Sequence, residues 1–328
     1  MTRLHWGIIG PGRIAPRVAR ALVDNARGEL RAVASRDLER ARAFAAAHGA
    51  TTSYGSYEAL LADPTIDVVY IALPNHLHAP WSIRALDAGK HVLCEKPLSL
   101  SVAEVDAIAE AAARNDRIAV EAFMYLHHPQ IHTALEIVGS GTLGDLQVID
   151  ATFSFFLDYP DDPRIDPAMG GGSLWDVGCY PVSIARRIAG REPDAVAAFA
   201  RFDERGVDRT FVGQLRFPGG LLALFDSGFG APHRERLEIV GSAASLVLEH
   251  PFVTTPDGPA PVVTLHRDEL ATTIEVASPD QYRAEVDDLQ AAILDGTPPR
   301  VDLAFSRGGI ATLVELDRLA RLAVEPGG

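Results

Sequence analysis

Apolar and polar positions follow two rhythms along this chain, and the first gives way to the second near residue 122. In the first part, short apolar runs are separated by stretches with helical spacing. Leu4–Ile9 (LHWGII), Leu30–Ala34 (LRAVA), Val68–Leu73 (VVYIAL), His91–Cys94 and Ile118–Ala122 read as strands. Val68–Leu73 is apolar throughout, the pattern of a strand covered on both faces. Arg17–Asn25, Leu38–His48, Ala79–Ala88 and the segment from Ser101 to Asn115 read as helices. Gly49 and Gly89 stop the second and third, because glycine accepts the left-handed turn that ends a helix. Ser101 and Glu104 open the last as a capping box. Strands and ten-residue helices in alternation predict a parallel, doubly wound α/β domain over residues 1–122.

Beyond Ala122 the strands stop alternating with helices. A helix is expected around Pro129–Val138, then a long strand, Leu146–Phe156. A loop rich in Asp and Pro, Asp158–Ala168, leads to Gly170–Gly171–Gly172 and a helical segment ending at Ala189. Pro181 sits inside that segment, where its missing N–H is expected to kink it. From Asp194 to Val276 several strand-like runs are punctuated by turns such as Phe217–Pro218–Gly219–Gly220 and Pro256–Asp257–Gly258. Gln281–Leu294 and Leu303–Ala323 close the chain as helices. Residues 123–328 are therefore expected to form an α+β domain with an open, mainly antiparallel β-sheet. Leu221–Phe225 (LLALF) is apolar on both faces, and a sheet with helices on one side only would leave one of them bare. A partner subunit could cover it, so a homodimer or higher homo-oligomer is expected.

A chain of 328 residues exceeds one ordinary core and suits two domains. Its net charge of −14 excludes the basic footprint that nucleic acid requires and disfavours an anionic membrane surface. No apolar run reaches the ~18 residues of a membrane span. Met1–Thr2–Arg3 runs into the first strand without an apolar leader, which points to the cytoplasm. Cys94 and Cys179 stand in apolar contexts and are expected to be buried, reduced thiols.

Gly10–Pro11–Gly12–Arg13–Ile14–Ala15 is G-x-G-x-x-A, placed between a strand and a helix. Gly10 allows the tight turn, and Gly12 lets the backbone approach a pyrophosphate. Ala15 is small enough for close packing of helix on strand, and the helix N-terminus faces the anion. With the βα units around it, this predicts a Rossmann dinucleotide-binding domain. Where enzymes using NAD carry an Asp or Glu for the ribose, the chain reads Ser35–Arg36, with Asp37 and Arg40 beyond. Ser35 and Arg36 can donate to a 2′-phosphate that a carboxylate would repel. NADP(H) is therefore the expected cofactor, with NAD(H) the alternative if Asp37 serves the ribose. Asp37 is better placed to cap the following helix. Leu73, Asn75 and His78 follow a strand end, as do Glu95 and Lys96, so these residues are further candidates for cofactor contact.

The loop GPGRIA, the segment Pro74–Asn75–His76–Leu77–His78, the tripeptide Glu95–Lys96–Pro97 and the run GGGSLWDVGCY (Gly170–Tyr180) occur in one order. In these the chain resembles the glucose–fructose oxidoreductase/inositol dehydrogenase (Gfo/Idh/MocA) family over essentially its full length. The branch it resembles holds D-xylose dehydrogenases and dimeric dihydrodiol dehydrogenases. The resemblance implies hydride transfer between nicotinamide and a sugar or cyclic alcohol, and a second domain often used for dimerisation. It also implies that Lys96 is the lysine of the EKP motif. Tyr180 then takes the acid/base position, filled by a His in inositol dehydrogenases, and Asp176 lies four residues before it. The branch commonly reads Phe–Met–Tyr–Arg–Phe–His–Pro where this chain has Phe123–Met124–Tyr125–Leu126–His127–His128–Pro129. Leu126 removes the charge of that Arg and with it the usual substrate or interface contact.

Oxidising an alcohol needs a hydride acceptor and a base. Tyrosine titrates near ~10, so neutral work needs a downward shift worth ~2.7 kcal/mol. An ammonium ~4 Å away supplies about 4 kcal/mol at an effective dielectric of 20. Lys96 with Tyr180 would therefore suffice, and no metal is required. The pairs His76/His78 and His127/His128 lack a carboxylate or thiolate at metal spacing, so no metal centre is expected. Two other readings stay open: reduction of a different carbonyl or imine, and a non-catalytic regulator that senses NADP.

Overall fold

Six parallel strands form the first sheet: β1 (Leu4–Ile9), β2 (Gly28–Ala34), β3 (Thr52–Tyr54), β4 (Val68–Ile71), β5 (His91–Glu95) and β6 (Ala119–Ala122). Their order is β3-β2-β1-β4-β5-β6. The computed structural model describes residues 3–159, 161–254, 258 and 260–323. Pro256 and Asp257 of the expected turn, and Met1 and Thr2, lie outside the described residues. Every residue of β4 and β6 is buried, as in strands covered on both faces. Between the strands run α1 (Ala15–Ala21), α2 (Leu38–His48), α3 (Tyr57–Leu61), α4 (His78–Asp87) and α5 (Val102–Asn115). The limits of α2 coincide with those read from the sequence because its ends are set locally. Asp37 accepts from the N–H groups of Glu39 and Arg40, and Gly49 closes the helix at φ +75°. Ser101 caps α5 through the N–H of Glu104, whose carboxylate reaches back to the N–H of Leu100. β3 and α3 were not foreseen, being too short to show a period.

The second sheet has eight strands: β7 (Leu146–Phe156), β8 (Ala195–Phe202), β9 (Asp208–Arg216), β10 (Leu222–Gly228), β11 (Gly230–Gly241), β12 (Ser245–Leu248), β13 (Val262–Arg267) and β14 (Leu270–Glu275). Their order is β14-β13-β12-β11-β7-β10-β9-β8. Every pairing is antiparallel except β7 with β10. α6 (Pro129–Gly139) precedes β7, and α7 (Cys179–Ala189) packs on β7 and β10. Among the described residues the other face is open along β8, β9 and β10. Ala223 and Phe225 are buried, whereas Leu222 and Leu224 are exposed with Val212 and Phe199. This explains the two-faced apolar run of β10: one face is core, the other is bare.

The chain divides into two units, Met1–Met124 with Asp280–Arg307, and Tyr125–Pro279 with Gly308–Gly328. The boundary expected after residue 122 falls two residues from the first crossing. The difference is at the end of the chain, where α8 (Gln281–Asp295) packs on α1 instead of staying with the second sheet. α9 (Leu303–Leu322) starts in the first unit and ends in the second. No helix among the described residues is long and apolar enough to cross a membrane.

Candidate active site

In the first sheet the strand order reverses between β1 and β4, and a crevice opens at such a switch point beyond the strand ends. The loop after β1 lies there. Gly10 has φ +82°, and a Cβ on it would stand 2.6 Å from the Leu73 side chain and 2.7 Å from the Ala72 carbonyl oxygen. Only glycine fits this position. A Cβ on Gly12 would meet nothing nearer than 3.7 Å, so the space above it is open. Ala15 is fully buried at the start of α1, Ile14 is half-buried and Arg13 is exposed. Ile14, at the N-cap of α1, makes no side-chain capping bond, and the first turn carries no acidic residue. Its positive end is left available to an anion.

At the end of β2, Ser35 is buried and Arg36 is exposed. Arg40 donates from Nη2 to the carbonyl of Pro11 at 2.9 Å, tying α2 to the glycine loop. Asp37 is occupied in capping α2, as its position in the sequence suggested.

Leu73 and Asn75 follow β4, and both are half-buried. His78 is buried at the start of α4, with Nδ1 2.7 Å from the Pro97 carbonyl and Nε2 2.7 Å from the Leu73 carbonyl. The ring thus stands between the end of β4 and the turn that carries Lys96, which is half-buried after β5, and when neutral it donates to one of the two carbonyls. From the other side Glu121, at the end of β6, accepts from the N–H of Leu98 at 2.8 Å. The carboxylate of Glu95 accepts from the hydroxyl of Tyr70. Burial, and then the nearby Glu95, push Tyr70 and Glu285 well above their ordinary pKa values. Sequence reading missed Tyr70, Glu121 and Glu285, because buried polar partners on separate elements leave no local pattern.

His78 carries a test of this arrangement. Burial pushes its pKa down from 6.5 to about 4, with Lys96 adding to the effect and the two carbonyls pulling the other way. A neutral folded ring gives stability that is present in full above pH 6.5 and lost as pH falls toward about 4. Over the whole window this amounts to roughly 3 kcal/mol. Urea denaturation at a series of pH values should show stability falling through this window. His78→Gln should flatten the slope by about one proton, ~1.4 kcal/mol per pH unit. If the two carbonyls instead held the ring as an imidazolium, the slope attributable to His78 would have the opposite sign.

In the second unit the run Gly170–Tyr180 folds around a buried carboxylate. Asp208 accepts from the Ser173 hydroxyl at 2.6 Å and the Leu174 N–H at 2.8 Å, and burial raises its pKa to about 6. A Cβ on Gly172, at φ +138°, would overlap this carboxylate, and one on Gly171 would crowd the carbonyl of Arg164. Leu174–Gly178 forms a π-turn that continues into α7. Pro181, the residue expected to kink this segment, lies in the first turn of α7 directly after the π-turn.

Asp176 sits on the π-turn, 3.9 Å from Arg164, which is also paired with Asp162 at 2.8 Å. Tyr180 is buried in α7 within an aromatic cage. Its ring centroid is 5.4 Å from Tyr125, 5.3 Å from Phe153 and 5.5 Å from Phe252. Tyr125 and Ser183 share a hydrogen bond of 2.6 Å beneath it. Lys96 belongs to the first unit, and Tyr180 and Asp176 to the second. Leu126 is buried and His128 caps α6 through the N–H of Gln130. Cys94 and Cys179 are buried thiols outside any disulfide.

Residues 4–123 match the oxidoreductase family with an NAD-binding Rossmann fold, and residues 131–247 match the GFO/IDH/MocA C-terminal domain. The chain belongs to the GFO/IDH/MocA oxidoreductase family. It is 40% identical over 300 residues to the D-xylose 1-dehydrogenase (NADP(+)) 2 of Haloferax volcanii, covering 91% of this chain and 92% of that one. It is 38% identical over 226 residues to the trans-1,2-dihydrobenzene-1,2-diol dehydrogenase of Mus musculus, covering 68% and 67%. Among solved structures, KijD10, a 3-ketoreductase from Actinomadura kijaniata in complex with NADP and TDP-benzene, superposes with a TM-score of 0.92. That match has 30% identity and covers 97% of this chain and 98% of that one.

Proposed function

We propose that this GFO/IDH/MocA oxidoreductase uses NADP(H) to interconvert a CH–OH group and a carbonyl on a sugar or cyclic alcohol. The observation that carries the reading is the glycine loop at the β1/β4 switch point, where such sheets bind their ligands, with Lys96 on a braced turn at the end of the neighbouring strand β5. Gly10, Gly12 and the uncapped start of α1 fit a pyrophosphate, and a side chain at Gly12 would fill the space one needs. Ser35 and Arg36 would take the 2′-phosphate, Leu73 and Asn75 would flank the bound cofactor, and His78 would act on it through the two carbonyls it faces. When bound, the cofactor supplies the hydride acceptor or donor. Tyr180 takes the hydroxyl proton in oxidation and returns it in reduction, Lys96 lowers its pKa, and Asp176 is the third candidate in the site. The NADP-dependent xylose enzyme and the NADP-bound 3-ketoreductase, both similar to this chain, support the cofactor and substrate class.

A panel of aldoses, inositols and dihydrodiols with NADP⁺, read as NADPH absorbance, tests it, with ketosugar reduction by NADPH as the reverse arm. Turnover of at least one of these is expected. Silence across both directions would remove the reading.

We also propose a homodimer built on the open face of the second sheet, where Phe199, Val212, Leu222 and Leu224 are exposed. Light scattering should give about twice the 35.2 kDa chain mass. A monomer over a wide concentration range would contradict it.

A further inference from the structure

Glu235 lies on β11 with its side chain fully buried, and among the described residues no Lys or Arg pairs with it. One carboxylate oxygen, Oε2, accepts from the N–H groups of Phe252 and Val253 at 3.1 and 3.0 Å. These bonds fix the carboxylate and leave Oε1 for something else. His233, two residues earlier on the same strand, brings Nε2 to 3.0 Å from Oε1, yet Oε1 receives no hydrogen bond. The hydrogen and the lone pair of a ring nitrogen lie along the same in-plane direction, so a nitrogen this close that does not donate is aimed elsewhere. His250, just after β12, completes the group, and one ligand atom from each residue lies within 4.8 Å of the other two.

We infer that His233, Glu235 and His250 form a site for a divalent first-row transition metal of the Zn²⁺ type. Two imidazoles and one carboxylate oxygen are a donor set such ions take in tetrahedral geometry, leaving the fourth position to water. Hard ions such as Ca²⁺ and Mg²⁺ want oxygen ligands throughout and do not suit it. Zinc distances near 2.0–2.2 Å put tetrahedral ligands ~3.3 Å apart, a small closure from the present spacing. Both histidines are exposed, so their rings are free to make it. The two N–H groups on Oε2 supply the outer-shell support that orients a metal-bound carboxylate. A buried carboxylate without a Lys or Arg partner is expensive, and a cation at this point offsets that cost.

The site also touches the chemistry proposed above without depending on it. Glu235 holds the backbone of Phe252, whose ring packs against Tyr180, and His233 packs edge-on against Phe153 with ring centroids 6.1 Å apart. A bound metal would therefore fix two walls of the Tyr180 cage. The sequence expectation of no metal centre rested on other histidine pairs, and His250 is brought to His233 and Glu235 by the pairing of β11 with β12.

The test is calorimetric titration of chelator-treated full-length protein with Zn²⁺ alone. One ion per chain is expected, and Co²⁺ in its place should give the visible bands of a tetrahedral site. His233→Ala and His250→Ala should each weaken Zn²⁺ at least tenfold, and Zn²⁺ should raise the Tm of the unmodified chain but not of the double variant. Both replaced side chains are exposed, so the variants should fold, which circular dichroism checks. Failure to bind Zn²⁺, or equal binding by the double variant, would overturn the assignment whatever the fate of the oxidoreductase reading.

Discussion

Replacing Tyr180 by Phe, or Lys96 by Met, is expected to lower kcat by at least ~10²-fold, the low end for acid–base catalysis, while leaving NADPH binding in place. The cage around Tyr180 makes the first substitution clean. Phe keeps the ring contacts with Tyr125, Phe153 and Phe252 and removes only the hydroxyl. The turn under Lys96 is held by His78 and Glu121 through backbone groups, so Met at this position leaves the turn intact. If Lys96 acts by holding down the pKa of Tyr180, the two losses will not add, and the double variant will be little worse than the poorer single one. The pH–rate profile for oxidation should rise through an apparent pKa below that of free tyrosine, and Lys96→Met should move that limb upward. Near-native turnover in Tyr180→Phe would assign the proton to another group, with Asp176 the first to examine.

Arg36→Ala is expected to weaken NADPH by roughly 10- to 100-fold, the value of a lost charge-assisted hydrogen bond to phosphate, and to leave NADH nearly unchanged. Arg36 is exposed, and α2 is capped by Asp37 and tied to the loop by Arg40, so the substitution removes no fold contact named above. Fluorescence titration with the two reduced cofactors decides it. Equal affinities in the unmodified protein would show that Ser35 and Arg36 do not read the 2′-phosphate.

Much of this protein could be read from the chain because the interactions involved are short-range. Asp37 and Gly49 delimit α2, Ser101 and Glu104 open α5, and the long strand read over Leu146–Phe156 has the bounds of β7. The same holds for Gly10 and Gly12, whose residue type follows from the turn they must make. Folding then joined residues far apart in sequence, and these left no mark that a window could catch. α8 returned to α1, β7 and β10 paired in parallel, and β3 and α3 proved too short to show a period. The braces of the Lys96 turn come from β6 and α4, and the walls around Tyr180 from Tyr125, Phe153 and Phe252. Glycine loops, caps and strand periods are set by backbone geometry within a few residues, so the sequence alone determined them. A buried polar partner or an aromatic wall is selected by whichever side chain packing brings within reach, and for that the chain has to fold.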